Sequence, residues 1–323
     1  STGIEGSLNE YLSGRANSQF LDSLNAIITG QKPKGANVEV TVDPVVQQAA
    51  WDALGDYQGA IVAIEPATGR ILAMVSKPTY DPNLLAGHTQ STVLENYDTL
   101  LNAEAEPLIN RAIRGDMNPP GSTFKVLMTA AALANGYSAD SEFPNPTSLQ
   151  LPDTSTVITN QNGADCGGGE TVTLATAFRL SCNIPYAELG QALGYDAINA
   201  QAEKFGFGDG SMLVPMSVEA SQFPVPESTA QLMLQSFGQG NDRATPLQIA
   251  MLSAAVANNG TLMKPTLVQR ILAADLSVIE EFAATRYSDA LSPDVAAAMR
   301  QMMVSNVAAG AASGARIDGV DVG

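Results

Sequence analysis

The sequence of 323 residues predicts a mixed fold of the α/β (α+β) class, in which strands and helices occupy separate stretches of the chain. Three observations predict this fold class. Residues 38–42 alternate like a strand and lead into a helix start, residues 59–76 have the pattern of an apolar hairpin, and the chain beyond residue 125 is mostly helical in pattern. This order argues against a doubly wound parallel sheet, which needs regular alternation of strands and helices.

The first predicted helix follows the strand at residues 38–42. Asp43 is a favourable N-cap, and Pro44 suits the first helical position. We expect this helix to run to about Leu54, where a glycine follows. Two apolar strands are predicted within residues 59–76, on either side of a Pro-Ala-Thr-Gly turn.

Residues 77–121 are predicted to form an irregular connection, and the main helices lie beyond them. Thr245 and Gln248 form a capping-box pattern with a proline at the first helical position. That helix should end at the Asn-Asn-Gly of residues 258–260. Ser292, which a proline also follows, is predicted to open a further helix.

The composition narrows the classes of function. Acidic residues outnumber basic ones by 33 to 16, and the formal charge of −17 disfavours nucleic acid and anionic lipid as partners. The longest apolar runs are far shorter than a bilayer-spanning helix needs. The single histidine, His88, lies in a polar stretch typical of a surface loop, which disfavours a Ser-His-Asp site and a histidine-rich zinc site. Cys166 and Cys182 are too few for a four-ligand metal cluster, but they can pair as a disulfide in an oxidising compartment.

The segment around Ser122 carries the first candidate for chemistry. The breaker Pro119-Pro120-Gly121 precedes it, and Lys125 follows three residues later, at the start of an apolar helical stretch. Residues three apart share a helical face, so the Lys125 amine can reach the Ser122 hydroxyl. A lysine kept neutral by its surroundings can take the proton of a serine nucleophile, and a helix N-terminus suits a developing oxyanion. An ordinary helix start with a solvated lysine is the alternative.

Ser181 and Asn183 form the second candidate. They lie between two predicted helices, residues 172–180 and 186–193, so that a loop would hold a hydroxyl and a carboxamide close together. Ser181 could pass a proton, and Asn183 could hydrogen-bond a peptide amide or the lysine. The Ser-x-Asn pattern alone is weak, because residues 7–9 also match it and a turn with an N-cap gives the same pattern.

Together these motifs resemble those of the penicillin-binding proteins, in particular the transpeptidase domain of class B members of the penicillin-binding protein A type. The resemblance covers nearly the whole chain, in the order and spacing of the family. The matching segments are residues 59–76, Tyr80-Asp81-Pro82-Asn83, Asn110-Arg111-Ala112, Pro120-Gly121-Ser122-Thr123-Phe124-Lys125, Ser181-Cys182-Asn183, Gly238-Gln239-Gly240 and Thr245-Pro246-Leu247-Gln248. The resemblance implies a penicillin-binding-protein/serine β-lactamase-like transpeptidase fold. Residues 1–57 would be a small non-catalytic N-terminal segment leading into a transpeptidase domain at 58–323.

The resemblance implies a peptidoglycan D,D-transpeptidase that is also a target of β-lactam antibiotics. In that scheme Lys125 takes the proton of Ser122, and Ser122 attacks the D-Ala–D-Ala carbonyl of a stem peptide. The Ser122 backbone N–H stabilises the oxyanion, Ser181 delivers a proton to the leaving D-Ala, and Asn183 orients the substrate amide. An amine of a neighbouring stem then resolves the acyl-enzyme, and the scheme requires no cofactor and no metal. The polar atoms of Lys125 and Ser181 should therefore lie within about 5 Å of the Ser122 hydroxyl.

Further residues follow from the same resemblance. Gly121, Gln239 and Gly240 are expected to contact the substrate. The family works outside the cytoplasmic membrane, where thiols can oxidise, so Cys166 and Cys182 are expected to form a disulfide that restrains the loop around Ser181. Stem peptides and β-lactams are the expected ligands, and cell-division or elongation proteins the expected protein partners. The chain is expected at the extracytoplasmic face of the membrane, anchored by an N-terminal segment absent from this chain.

One family motif is missing, because none of the six lysines is followed by Thr-Gly or Ser-Gly. Residues 318–323 resemble the lead-in to that motif, so we expect the sequence to be truncated just before it. In the family, the missing strand completes the sheet. We therefore expect an incomplete sheet and a fragment that lacks full activity. Near residues 59–76 we expect an exposed strand edge, or another segment or chain that covers it.

Three other functions fit the same residues. A D,D-carboxypeptidase uses water as the acceptor. A serine β-lactamase needs a positioned base for deacylation, often a Glu, and Cys182 stands where many β-lactamases have Asp. A non-catalytic β-lactam sensor or wall-assembly scaffold would bind the same ligands without turnover.

Overall fold

The computed structural model describes residues 3–16, 19, 28, 30, 34–115 and 117–323. The described helices are α1 (Gly3–Ser7), α2 (Asn9–Leu12), α3 (Pro44–Leu54), α4 (Gln90–Leu101), α5 (Lys125–Ala134), α6 (Leu174–Arg179), α7 (Ile184–Lys204), α8 (Thr229–Gln235), α9 (Pro246–Ala257) and α10 (Pro293–Ala309). The described strands are β1 (Asn37–Val40), β2 (Gly59–Ile64), β3 (Ile71–Lys77), β4 (Glu142–Pro144), β5 (Ser148–Gln150), β6 (Val157–Thr159), β7 (Thr171–Thr173), β8 (Thr261–Met263), β9 (Val268–Leu272), β10 (Val278–Glu281) and β11 (Arg286–Asp289). Short 3-10 turns cover Pro82–Leu85, Gly121–Phe124, Gln161–Gly163 and Ser313–Ala315.

These elements fall into two compact units. The first lies within Ser1–Asp116, Gly210–Glu219 and Met263–Thr285, and the second within Met117–Asp209, Ala220–Leu262 and Arg286–Gly323. The first unit contains the predicted hairpin, and the second contains all the candidate residues for chemistry.

The hairpin of the first unit pairs β2 with β3, with Ile61 opposite Val75. The helix α3 covers one face of it, where Ala50 packs with Ala73 and Val75 in a small buried cluster. Burying these apolar side chains removes both the helix face and the strand face from water. The same unit holds an antiparallel sheet in the order β1-β9-β10.

The predicted start and stop of α3 are confirmed. The Asp43 carboxylate accepts hydrogen bonds from the backbone N–H groups of Val45 and Val46, which satisfies donors that have no partner within the helix. Pro44 occupies the first helical position, and Gly55 is the C-cap with a positive φ of 54°.

Residues 77–121 differ from the prediction, because they contain α4 and a 3-10 turn and are therefore not all irregular. No residue of α4 is buried, and Leu94 and Leu101 are 59% and 57% exposed. The side chain of Thr89, at the N-cap, makes no capping bond. The helix thus lacks both the capping signal and the core-facing stripe that identify helices in a sequence.

The second unit is built around α5, in which Leu127, Met128 and Ala130 are fully buried. The helices α7 and α10 pack against α5. Phe124 stacks on Phe223 with ring centroids 5.4 Å apart, at the turn that precedes α5. This packing fixes the first turn of α5, where the first candidate residues lie.

The predicted helix starts of the second unit are confirmed. The Thr245 hydroxyl accepts a hydrogen bond from the Gln248 backbone N–H at the start of α9, and the Ser292 hydroxyl accepts one from Val295 at the start of α10. The expectation that this region is mostly helical missed three strand pairs, β4–β7, β5–β6 and β8–β11. Each of these strands has three or four residues, too few for an alternating pattern to be recognised.

The predicted mixed fold class is confirmed. Among the described residues the sheets have two or three strands and none is closed, and the hairpin of β2 and β3 forms a two-stranded sheet of its own. β2 is half-buried along its whole length. Within the described ranges, no helix is both long and apolar enough to cross a bilayer. The division of the chain near residue 57 stays a prediction.

Candidate active site

Ser122 lies in the 3-10 turn that leads directly into α5, and Lys125 is the first residue of that helix. The three-residue spacing places the Lys125 Nζ 3.1 Å from the Ser122 Oγ. Ser122 is exposed, whereas Lys125 is only 2% exposed. The serine can thus meet a ligand from solvent while its partner amine stays out of water.

The same amine contacts the second motif. Lys125 Nζ donates to the Ser181 backbone carbonyl at 2.7 Å and to the Asn183 Oδ1 at 2.9 Å, and it lies 3.2 Å from the Ser181 Oγ. With Ser122, four oxygen atoms surround one nitrogen. The structure therefore brings Ser122, Lys125, Ser181 and Asn183 together, as predicted. All four residues lie in the second unit.

The surroundings of Lys125 favour its neutral form. Burial lowers the pKa of the Lys125 amine to about 7, because the ammonium loses hydration that its neighbours only partly replace. Among the residues that the structure describes, no carboxylate bonds to the Lys125 Nζ. Near neutral pH a sizeable fraction of the amine therefore carries the lone pair that a general base requires.

The loop of Ser181 and Asn183 connects α6 to α7, and its backbone is tightly constrained. Ser181 has a φ of +56°, which few residues other than glycine adopt without support. Support comes from Asn160, a buried residue that follows β6. Its Oδ1 accepts hydrogen bonds from the backbone N–H groups of Asn183, at 2.9 Å, and of Ile184, at 3.0 Å.

A disulfide joins Cys166 to Cys182, the residue between Ser181 and Asn183, with a Cα separation of 5.9 Å. Asn145 holds the other end of this link. Its Oδ1 accepts from the Cys166 N–H at 2.7 Å, and its side-chain NH₂ lies 3.3 Å from the Cys166 carbonyl. The disulfide therefore ties the loop of Ser181 and Asn183 to the segment around Cys166, which Asn145 holds through hydrogen bonds.

Gly121 is the first residue of the 3-10 turn that contains Ser122, and it contacts Gly238, the residue that precedes Gln239 and Gly240. The Gly121 N–H donates to the Gly238 carbonyl at 2.9 Å. A Cβ on Gly238, whose φ is +78°, would meet the Gly121 oxygen at 1.9 Å, so this approach requires glycine. Gln239 and Gly240, the next two residues, are exposed. Their role in binding a substrate stays a prediction.

A cavity of about 650 Å³ opens beside Ser122. Its lining includes Ser122, Lys125, Ser181 and Asn183, with residues of α9 and α10, and none of the described lining residues is Asp or Glu. Gly121, Gln239 and Gly240 are not among the lining residues.

The single histidine, which the sequence analysis disfavoured as a catalytic residue, is not part of this cluster. His88 is exposed in the loop before α4, in the first unit. No group of three or more His, Cys, Asp or Glu residues is placed to hold a metal ion in the part of the chain that the structure describes. The sequence analysis did not identify Asn145 or Asn160 as residues of the site, because a single asparagine after a short strand forms no recognisable motif.

Two family models match the chain. The model described as penicillin binding protein transpeptidase domain matches residues 59–323. The model described as penicillin binding protein A dimerisation domain matches residues 1–38.

Individual relatives agree with these matches. The peptidoglycan D,D-transpeptidase PbpA of Mycolicibacterium smegmatis is 41% identical over 311 residues, which are 94% of this chain and 63% of that protein. The chain thus spans somewhat less than two thirds of the length of this curated relative. The peptidoglycan D,D-transpeptidase MrdA of Acinetobacter baumannii is 31% identical over 72% of this chain and 35% of that protein.

Solved structures show the same similarity. A ceftriaxone acyl-enzyme complex of penicillin-binding protein A from M. tuberculosis superposes with a TM-score of 0.94 and 38% identity, over 99% of this chain and 73% of that one. The penicillin G acyl-enzyme complex of the same protein gives a TM-score of 0.90 and 39% identity, over 95% of this chain and 71% of that one.

Proposed function

The chain belongs to the family of penicillin-binding protein transpeptidase domains, and we propose that its protein is a peptidoglycan D,D-transpeptidase that forms an acyl-enzyme on Ser122. The observation that carries this proposal is the buried Lys125 amine, which lies 3.1 Å from the Ser122 hydroxyl and also bonds to Ser181 and Asn183. The similarity to acyl-enzyme complexes supports it.

Acylation begins with the neutral Lys125 amine. It takes the proton of Ser122 as the Oγ attacks the carbonyl carbon of the penultimate D-Ala in a stem peptide. The carbonyl oxygen becomes an oxyanion near the first turn of α5, where the Ser122 N–H and the helix dipole stabilise negative charge.

Collapse of this intermediate breaks the C–N bond to the terminal D-Ala. The leaving nitrogen needs a proton, and Ser181 Oγ, 3.2 Å from Lys125 Nζ, provides a relay from the lysine. An amine of a second stem peptide then attacks the ester carbonyl, and the C–O bond to Ser122 breaks as the new amide forms. The proton that the amine loses passes through Lys125 to the Ser122 Oγ, which restores the free serine. The same attack on a β-lactam opens the ring, so the leaving nitrogen stays attached.

Asn183 is suited to orient the substrate. Its Oδ1 accepts from Lys125, and one N–H of its amide donates to the Thr159 carbonyl at 3.0 Å. These two bonds fix the amide plane and leave the second N–H to bind a peptide carbonyl.

The alternatives differ in the fate of the acyl-enzyme. A β-lactamase needs a base that activates water, and the absence of a carboxylate among the described cavity residues argues against one. A carboxypeptidase would pass the acyl group to water, and a sensor or scaffold would keep it.

The test is an assay of the full-length protein with a stem pentapeptide and an added amine acceptor. A transpeptidase releases D-Ala and forms a cross-linked product. Release of D-Ala with hydrolysis alone would indicate a carboxypeptidase, and acylation by penicillin without any D-Ala release would indicate a sensor. Rapid loss of the penicillin adduct would indicate a β-lactamase.

We also propose an extracytoplasmic location at the cell membrane, in keeping with stem peptides as substrate. Stem peptides and β-lactams are the proposed ligands. Cell-division or elongation proteins are the proposed partners, and co-purification of the full-length protein from membranes would identify them.

A further inference from the structure

Two buried hydroxyls that have no part in the proposed chemistry bond to each other next to the site. The hydroxyls of Thr129, in α5, and Tyr186, in α7, lie 2.6 Å apart, and both residues are completely buried. A buried hydroxyl pair of this kind is a strong positional constraint, because either group would otherwise be left without a partner.

The position of this bond follows from helical spacing. Thr129 is one turn beyond Lys125 in α5, and Tyr186 is three residues beyond Asn183 in α7, so each pair shares a helical face. The 2.9 Å bond between Lys125 and Asn183 and the 2.6 Å bond between Thr129 and Tyr186 are therefore neighbouring links between the same two segments.

The Tyr186 ring also shapes the surroundings of the amine. Its centroid lies 5.5 Å from the Lys125 Nζ. Among the described groups that contact Nζ, the others belong to Ser122, Ser181 and Asn183, so Tyr186 is the titratable side chain that faces it. Burial raises the pKa of the Tyr186 phenol, which stays neutral. The ring thus occupies interior volume beside the amine without adding a charge.

We propose that Tyr186 is a positioning residue for acylation: its bond to Thr129 fixes the distance between α5 and α7, and with it the alignment of Lys125 on Ser122. This inference rests on the proposed function of Ser122 and Lys125. It assigns Tyr186 no contact with the substrate, since Tyr186 is not among the cavity residues.

The proposal predicts a specific effect of removing one hydroxyl. Tyr186→Phe keeps the ring and removes the bond, so the two helices can separate slightly and water can reach the amine. Misplacement on the scale of 1 Å costs catalysis up to a hundredfold, and we expect roughly a tenfold slower acylation by penicillin at pH 7. Better hydration would also move the midpoint of the pH–rate profile upward.

Matched variants separate positioning from general stability. Thr129→Val removes the other hydroxyl and should give the same slowing, and the double variant should be no slower than either single one, because one bond is lost in each case. Thr129→Ser keeps a hydroxyl and should recover most of the rate. Tyr287→Phe is the control, since it removes a 3.0 Å bond from the Tyr287 hydroxyl to Asp209 in the same unit, away from the cavity residues.

The measurement is the rate of acylation of the full-length protein from pH 5.5 to 9, together with an NMR titration of the lysine side chains. A slower rate and an upward midpoint in Tyr186→Phe, with Tyr287→Phe like the wild type, would support the proposal. An unchanged rate and midpoint, or equal slowing in Tyr287→Phe, would overturn it. If the wild type is not acylated at all, the proposed function is wrong, and the Lys125 titration in Tyr186→Phe still decides whether Tyr186 controls the amine.

Discussion

The side-chain oxygen of Asn160 accepts a hydrogen bond of 2.9 Å from the backbone N–H of Asn183. Asn160 is 4% exposed, and this bond is partly buried. The same oxygen accepts a hydrogen bond from the backbone N–H of Ile184, the first residue of α7. Asn160 therefore caps the N-terminus of α7, although it lies in a different part of the chain. The orientation of Asn183 towards Lys125 therefore depends on a residue 23 positions earlier.

Replacing Asn160 by alanine should weaken both folding and acylation. The change leaves the buried N–H of Ile184 and the partly buried N–H of Asn183 without an acceptor, at a cost of roughly 1–3 kcal/mol. We expect acylation to slow by about tenfold as Asn183 loses its fixed position. Urea unfolding and the rate of penicillin acylation measure the two effects. Asn160→Asp keeps the acceptor oxygen at a helix N-terminus and should be milder in both assays, whereas equal damage would argue against the acceptor role.

The pH dependence of acylation should report on Lys125. A pKa of about 7 means that the amine is protonated, and unable to take the Ser122 proton, below about pH 6. The rate should rise through pH 7 and level off above about pH 8. Lys125→Arg should lose about 10²–10⁴-fold in rate at every pH, because a guanidinium stays protonated. A rate that is constant from pH 5.5 to 9 would contradict the assignment of Lys125 as the base.

The disulfide should matter more for acylation than for folding. The disulfide joins residues 16 positions apart, and closing a loop of this length stabilises the folded state by about 3 kcal/mol. It also holds Cys182, which lies between two residues that contact Lys125. We expect reductant to slow acylation by about tenfold while the protein remains folded by circular dichroism. The double variant Cys166→Ser/Cys182→Ser should be slow from the start and insensitive to reductant. Equal sensitivity in that variant would show that the reductant acts elsewhere.

Asp242 should make the protein less stable as the pH rises. The residue is fully buried, and its carboxylate oxygens have no well-formed hydrogen bond to the described residues. Burial raises the Asp242 pKa to about 8, although Gln235 and Arg243 oppose the rise. In the unfolded chain the Asp242 carboxyl ionises near pH 4, so between about pH 4 and 8 the protein takes up a proton when it folds. The free energy of unfolding therefore falls as the pH rises through this window.

Asp242→Asn removes this ionisation at nearly constant shape. The stability difference between the variant and the wild type should grow by about 1.4 kcal/mol for each pH unit between about pH 5 and 8, because the unfolded wild type is ionised there while the folded carboxyl is still protonated. Urea unfolding at about pH 5 and about pH 8 measures the difference. The same stability difference at both values would show that the Asp242 carboxyl does not titrate in this window.

Local chemistry made the helix starts predictable. Asp43, Thr245 and Ser292 each cap a helix with a side chain that bonds within three residues, and proline follows each of them. The helix α4 lacked such a cap and a buried face. The four strands between residues 142 and 173 have three residues each, too few for an alternating pattern, and β4 also depends on pairing with β7, about 30 residues later.

The site was predictable in part for a similar reason. The pairing of Ser122 with Lys125 follows from a spacing of three, whereas Ser181 and Asn183 lie 56 and 58 residues from the lysine, so sequence spacing could not show that they meet it. Asn145, Asn160, Thr129 and Tyr186 belong to no motif. Their partners lie 21 to 57 residues away in sequence, so only the structure brings them to the site.

The central claim is that Ser122 is the nucleophile. Its most direct test is mass spectrometry of the full-length protein after incubation with penicillin G, followed by proteolysis. The account predicts an added mass equal to the whole penicillin on the peptide that contains Ser122, because ring opening loses no atoms, and no adduct in Ser122→Ala. An adduct on another peptide, or one that persists in Ser122→Ala, would contradict it.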